Sequence, residues 1–216
     1  MDHKQQCPLC LYRSGDDFFQ DEHRFFLKCS NCQLIFVPPQ FFLSPEVEKS
    51  RYDTHQNSPE DPRYRGFLNR LFEPVQQRLA PNSQGLDFGS GPGPTLSVMF
   101  EEIGHQMTIF DRFYAYQPDA LKKSYDFITT SETVEHLQQP RSELEQLWSC
   151  VKPNGILGIM TQFVPTQTDF GCWYYKNDPT HLCFYDRPAF HWLATNWSTS
   201  PQFVADNVVL FVKHIK

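Results

Sequence analysis

The 216-residue chain carries 19 Lys and Arg against 25 Asp and Glu, a formal net charge of -6, which excludes non-specific coating of nucleic acid because phosphate contacts need a basic surplus. Hydrophobic residues make up 40% of it, and its apolar runs fall far short of the roughly 18 residues of a membrane-spanning helix, so no membrane partner is expected. The length fits one ordinary domain with a small appendage, and seven cysteines behind a start, MDHKQQCPLC, with no apolar signal core predict a reducing, cytoplasmic setting.

Residues 1–40 read as a zinc-ribbon-like module. Cys7, Cys10, Cys29 and Cys32 form C-x2-C-x18-C-x2-C, a spacing in which two tight turns present four thiolates to one tetrahedral zinc. Four thiolates leave no open position on the metal, so the expected zinc is structural, and a module this small has too little core to fold without it. Its basic residues, Lys4, Arg13, Arg24 and Lys28, are outnumbered by Asp2, Asp16, Asp17, Asp21 and Glu22. A platform for substrate or a protein partner therefore fits at least as well as a nucleic-acid grip, although a specific RNA contact is left open. Cys150, Cys172 and Cys183 lack ligand spacing and are expected to be plain thiols.

Residues 41–65 are polar and broken by prolines, and read as a linker or lid in which Tyr52, His55 and Asn57 are candidates to close over a cofactor. The main domain, 66–216, opens with the apolar-periodic FLNRLFEPVQQRL, a predicted helix. From residue 85 strands and helices alternate. GLDFGS is a strand meeting a glycine turn, PTLSVMFEEIG a helix, and QMTIFD and YDFITT are strands. PRSELEQLWSCVKPNG reads as a helix opened by proline and closed at Asn154-Gly155, and ILGIMT as the next strand. After a long loop, PAFHWLAT looks helical and QFVADNVVLFVKH is a hairpin turning at Asp206-Asn207. Strands separated by helices pair in parallel, so the expected fold class is a doubly wound α/β sheet with an antiparallel C-terminal hairpin.

The turn Leu86-Asp87-Phe88-Gly89-Ser90-Gly91-Pro92-Gly93 joins a strand to a helix, and its glycines let backbone approach a nucleotide-type cofactor. A dinucleotide fingerprint would need glycine where Pro94 stands, which argues against NAD. The segment LDFGSGPG resembles the first motif of class I S-adenosylmethionine-dependent methyltransferases, whose Rossmann-like fold covers about residues 85–161 well. The resemblance implies that Asp87 and the loop, Gly89, Ser90, Gly91 and Gly93, hold the methionine part of S-adenosylmethionine, and that Asp111 holds the ribose hydroxyls. Arg112 and Ser131 join them as cofactor-binding candidates. A cationic sulfonium tolerates the acid beside the loop where a pyrophosphate would be repelled. The stretch 112–124 is too short for the helix, strand and return of the family pattern, so the third strand is expected to be missing or vestigial, with Phe113 and Tyr114 improvising the adenine pocket.

After YDFITT comes Ser131-Glu132-Thr133-Val134-Glu135-His136, at the carboxyl end of a parallel strand, where open α/β sheets bind ligands. E-x-x-E-H here resembles the motif of ubiquinone-pathway O-methyltransferases and small-RNA terminal 2′-O-methyltransferases, in which the acids and the histidine, with a later histidine, hold a divalent ion; His181 is such a histidine. Glu132, Glu135 and His136 can share a helical face. The catalytic candidates are thus His136, His181, Glu132 and Glu135, acting through a second divalent metal or with His136 as a metal-free general base; packing alone is the third reading. Trp173, Tyr174 and Tyr175 wall a substrate pocket or pack as a lid.

The sequence therefore predicts a methyltransferase acting on an unidentified substrate through an oxygen, nitrogen or carbon nucleophile, a hydroxyl-bearing one among the readings. Two alternatives stand beside it: a zinc-ribbon binding protein on an inactive methyltransferase scaffold, and a nicotinamide-dependent oxidoreductase. Neither the methyl acceptor nor the oligomeric state is written in the sequence.

Overall fold

The computed structural model describes residues 5–54, 57–165 and 170–214. Four short strands, β1 (Gln5–Gln6), β2 (Arg13–Gln20), β3 (Phe25–Cys29) and β4 (Ile35–Phe36), pair antiparallel in that order. Each cysteine pair closes in the same kind of turn: Leu11 N–H donates to Cys7 O at 3.0 Å and Gln33 N–H to Cys29 O at 2.9 Å. Leu11 and Gln33 sit at φ 62° and 63°, so the two turns present their sulfurs alike.

The stretch read as a linker contains a helix, α1 (Pro45–Tyr52). Its signals are local: Ser44 caps Val47 N–H, Pro45 opens the first turn, Glu46 and Glu48 follow, and Lys49 and Arg51 close it. Helix α2 (Pro62–Gln76) begins earlier than its apolar repeat, because the Asp61 carboxylate accepts from Arg63 N–H and Pro62 starts the first turn.

The alternating pattern from residue 85 becomes β5 (Gln84–Phe88), α3 (Thr95–Glu102), β6 (Gln106–Phe110), β7 (Tyr125–Ser131), α4 (Pro140–Cys150) and β8 (Val151–Met160). Next come β9 (Cys183–Phe184), α5 (Arg187–Trp197), β10 (Pro201–Ala205) and β11 (Val208–Val212). One difference concerns α4, which ends at Cys150 rather than at Asn154-Gly155. Pro153 lacks an N–H and biases Lys152 toward extended backbone, so the chain passes directly from helix to strand.

The large sheet has the order β10-β11-β8-β7-β5-β6, with β6, β5, β7 and β8 parallel and the last two strands antiparallel. Beyond β6 no further strand lies among the described residues; residues 112–124 supply only a short 3-10 turn, Pro118–Lys122, and a bridge from Asp111 to Ala115. The expected loss of that strand is thus observed. Successive residues of β8 and β11 face opposite layers: Ile156, Met160, Val208 and Leu210 pack under α2 and α3, and Leu157, Ile159, Val209 and Phe211 under α4 and α5.

The ribbon is not a bead on a string. β4 pairs with β9, Ile35 opposite Phe184, so the main domain contributes the fifth strand of the small sheet. Phe26, Leu34 and Phe36 share one continuous apolar cluster with Phe184, Phe190 and Phe211. Among the described residues no helix is long and apolar enough to cross a membrane.

Candidate active site

At the end of β5 the chain turns into the glycine loop, with Gly89 and Gly91 at φ 77° and 62°, conformations that side chains resist. Gly89 N–H donates to Phe110 O at 2.8 Å and Gly91 N–H to Asp111 Oδ2 at 3.0 Å, which ties the loop to the end of β6. A Cβ on Gly89 would strike Thr133 at 2.3 Å and one on Gly93 the Asn57 carbonyl at 2.2 Å, whereas one on Gly91 would meet nothing within 4 Å. Two glycines therefore admit neighbours against the loop, and the third opens onto a cavity of about 980 Å³. All the expected cofactor-binding residues, Asp87, Gly89, Ser90, Gly91, Gly93, Asp111, Arg112 and Ser131, line it.

Asp87 is buried and accepts from Ser97 Oγ at 3.3 Å and Thr129 Oγ1 at 3.2 Å; burial raises its carboxyl to about 6. The second oxygen of Asp111 accepts from Phe113 and Tyr114 N–H at 2.8 and 3.0 Å. Arg112 reaches Glu48 at 3.5 Å and lies over the Phe113 ring. Phe113 and Tyr114 both line the cavity, as do Tyr52 and Asn57; His55 lies outside the described residues.

The acid and histidine cluster differs in detail from its expected form. Val134–His136 is a single 3-10 turn, and Glu132 precedes it at φ 46°, so Glu132, Glu135 and His136 do not share a helical face. What assembles the site is the loop from Tyr174 to His181. The Tyr175 hydroxyl lies between the acids, hydrogen-bonded to Glu135 Oε1 and 3.2 Å from Glu132 Oε2, and Thr161 Oγ1 donates to Glu135 Oε2 at 2.9 Å. A phenol has one proton to give. Burial and the neighbouring Glu135 push Glu132 up to about 9, so Glu132 is the acid of the pair that holds a proton, while the Tyr175 hydroxyl gives its own to Glu135.

Both histidines are oriented by backbone carbonyls. His136 Nδ1 is 3.0 Å from Thr180 O, and His181 Nδ1 is 2.7 Å from Tyr175 O. A carbonyl only accepts, so each Nδ1 carries the proton and, in the neutral ring, each Nε2 holds a free lone pair. Burial, with His136 beside it, pushes His181 down to about 3, so that ring is neutral at physiological pH. The rings stand 4.7 Å apart edge to face, and ligand atoms of Glu135, His136 and His181 all lie within 4.8 Å of one another, a group that excludes Glu132.

Of the three aromatics after β8, Tyr174 and Tyr175 line the cavity, while Trp173 packs against Phe170 and Phe184 in the core. Sequence reasoning missed Thr161, the bridging part played by Tyr175, and Arg24 of the ribbon, whose guanidinium donates to carbonyls of the 176–181 loop. No local pattern announces any of them, because their partners are remote in sequence.

In the ribbon, Cys7 Sγ lies 3.5 Å from Cys32 Sγ and Cys10 Sγ 3.4 Å from Cys29 Sγ, with all four sulfurs within 4.8 Å of one another. Tetrahedral zinc with bonds of about 2.3 Å places its sulfurs about 3.8 Å apart, so the four residues fit that ion. Of the other cysteines Cys150 and Cys183 are buried and Cys172 is exposed.

Residues 55–197, more than half of the chain, match the model of a family described as a methyltransferase domain. No curated protein matches the chain. Among solved structures it is similar to the 1,6-didemethyltoxoflavin-N1-methyltransferase of Burkholderia thailandensis, determined with 1,6-didemethyltoxoflavin and S-adenosylhomocysteine bound. That likeness has 14% identity and a TM-score of 0.54 over 92% of this chain and 99% of that one. CalO1, a methyltransferase in calicheamicin biosynthesis in its S-adenosylhomocysteine-bound form, is similar at 13% identity and a TM-score of 0.50, over 70% of this chain and 54% of that one. At such identities the likeness is one of fold.

Proposed function

The chain belongs to the methyltransferase-domain family, and we propose that it transfers the methyl group of S-adenosylmethionine to a hydroxyl oxygen of its acceptor, with His136 as the base. The observation that carries the reading is one cavity lined by both the glycine cradle and an imidazole whose Nδ1 is committed to Thr180 O, which turns the Nε2 lone pair to use.

The residues present suit the cofactor. Gly91 opens onto the cavity, and the buried Ser90 Oγ has no hydrogen-bond partner among the described residues. Gly89, Ser90, Gly91 and Gly93 would cradle the methionine part with Asp87 behind them, Asp111 with Arg112 would face the ribose, and Ser131 would complete the wall. When bound, the cofactor supplies an electrophilic methyl on a sulfonium. The chain's part is positioning and proton removal: His136 Nε2 takes the hydroxyl proton, and Glu135 Oε1, 3.9 Å away, stabilises the imidazolium. His181, held neutral, is a poor base and orients its neighbour.

A second reading rests on a different observation, the convergence of Glu135, His136 and His181 ligand atoms. Two bare Nε2 atoms and a carboxylate would suit a divalent ion that acidifies the acceptor hydroxyl.

Calorimetry with S-adenosylhomocysteine and with NAD, followed by transfer from labelled S-adenosylmethionine into a small-molecule extract, tests the proposal. Binding of the first ligand alone and a loss of about 100-fold or more in turnover for His136→Ala, with chelator causing only slow loss of ribbon zinc, is the expected result. Immediate loss on chelation with rescue by Mg2+ or Mn2+ would move the assignment to the metal reading. Failure of S-adenosylhomocysteine to bind would end both.

A further inference from the structure

Arg24 lies on the ribbon, in the turn from β2 to β3, yet its side chain is buried against the main domain. Its Nη1 donates to His181 O at 2.9 Å and to Pro179 O at 3.4 Å, and its Nη2 to Asp178 O at 2.8 Å and to Lys176 O. Four carbonyls of one short loop thus converge on one guanidinium, whose planar fork suits several acceptors at once. The ribbon holds the same loop twice more: Asp21 accepts from Arg24 N–H at 2.9 Å and reaches Lys176 Nζ at 3.3 Å, and Val37 N–H donates to Leu182 O at 2.8 Å.

The loop so gripped supplies both carbonyls that orient the active-site histidines, Tyr175 O for His181 and Thr180 O for His136. Its far end is fastened to the catalytic turn, where Leu182 N–H donates to Glu135 O at 2.7 Å. Arg24 reaches neither histidine ring, and it acts on the carbonyls interleaved with the two that do.

We propose that Arg24 is a positioning residue of the active site, and that the zinc ribbon serves the reaction by bracing, through Arg24, the loop whose carbonyls hold His136 and His181 in their Nδ1–H forms. The inference rests on the methyltransferase reading for its purpose, though not for its geometry. Its consequence is that loosening Arg24 frees the loop carbonyls, and each imidazole then exchanges between Nδ1–H and Nε2–H forms, losing the lone pair that faces the cavity. A ribbon that merely docks would leave the tautomers alone.

The test uses the full chain labelled with 15N-histidine, signals assigned with His136→Gln and His181→Gln, and compares wild type with Arg24→Gln and Arg24→Lys. Zinc content and S-adenosylhomocysteine affinity are measured alongside. We expect Arg24→Gln to keep its zinc and to bind S-adenosylhomocysteine within about twofold of wild type, because Arg24 itself lies outside the residues that line the cavity. Its His136 and His181 signals should show a mixture of tautomers where wild type shows one, and Arg24→Lys, which keeps the buried cation with fewer and less spread donors, should fall between them. Single Nδ1–H tautomers at both histidines in a folded Arg24→Gln protein would overturn the proposal. If Arg24→Gln does not fold, Arg24→Lys decides: a mixture at either histidine supports the brace and wild-type signals overturn it. Absence of S-adenosylhomocysteine binding to wild type would strike at the methyltransferase reading alone, since the tautomers are read without it.

Discussion

Asp87 is enclosed by β5, β7 and α3 with two hydroxyl donors and, among the described residues, no cation beside it; burial outweighs the hydrogen bonds, so its carboxyl rises from 3.8 to about 6. The unfolded chain releases this proton near pH 4 and the folded chain near pH 6, so between those values the folded state binds more protons and stability falls as pH rises. Above that window the cost levels off at about 3 kcal/mol at most, at 1.36 kcal/mol for each pH unit separating the two states. Asp87→Asn keeps the shape, accepts from one of the Ser97 and Thr129 hydroxyls while its amide donates to the other, and removes the ionisation. Without cofactor it should therefore be more stable than wild type at pH 8, by about 1 to 3 kcal/mol, and no more stable at pH 4. Urea denaturation at both pH values checks this, and a difference independent of pH would refute it.

Among the elements, the glycine loop depends on one side chain from the neighbouring strand. Both oxygens of Asp111 accept backbone N–H groups, from Gly91 on the loop and from Phe113 and Tyr114 beyond β6. Asp111→Ala removes the proposed ribose acceptor and at the same time the tether of the loop. Affinity for S-adenosylhomocysteine should fall by about 1.5 to 3 kcal/mol, the range for hydrogen bonds to a charged group; unchanged affinity in calorimetry would take Asp111 out of the site. The loop and its acid were readable because both are local in sequence. Spacing alone lets Glu132, Glu135 and His136 share a helical face, and nothing local reveals that Glu132 takes φ 46° or that Tyr175, forty residues on, inserts its hydroxyl between the acids.

For the molecule as a whole, the ribbon and the methyltransferase domain share a strand pairing, an apolar cluster and the buried Arg24. Separately stabilised units would let the ribbon unfold alone, but here Cys29 belongs to the cluster that contains Phe190 and Phe211 of the main sheet's layer. Cys29→Ser, or removal of the zinc, should consequently lower the midpoint of one cooperative thermal transition for the entire chain, in place of deleting a small separate one. Scanning calorimetry distinguishes the outcomes: an unchanged main transition in Cys29→Ser would mean that the shared core adds nothing to the stability of the larger unit.

Taken by itself, the sequence determined the features whose physics is local. The spacing of Cys7, Cys10, Cys29 and Cys32 sets two matching turns, the glycines after Phe88 set a strand-to-helix cradle, and the shortness of residues 112–124 removes a strand from the sheet. Even the hairpin at Asp206-Asn207 lies where its turn residues put it. Tertiary structure alone decided the protonation pattern and the partners of the site. Which imidazole nitrogen is bare depends on Thr180 O and Tyr175 O, and which acid is protonated on burial. That Arg24 serves a loop more than 150 residues away depends on the docking of two sheets. Hydrogen bonds and desolvation act across space, and residue order carries no direct record of either.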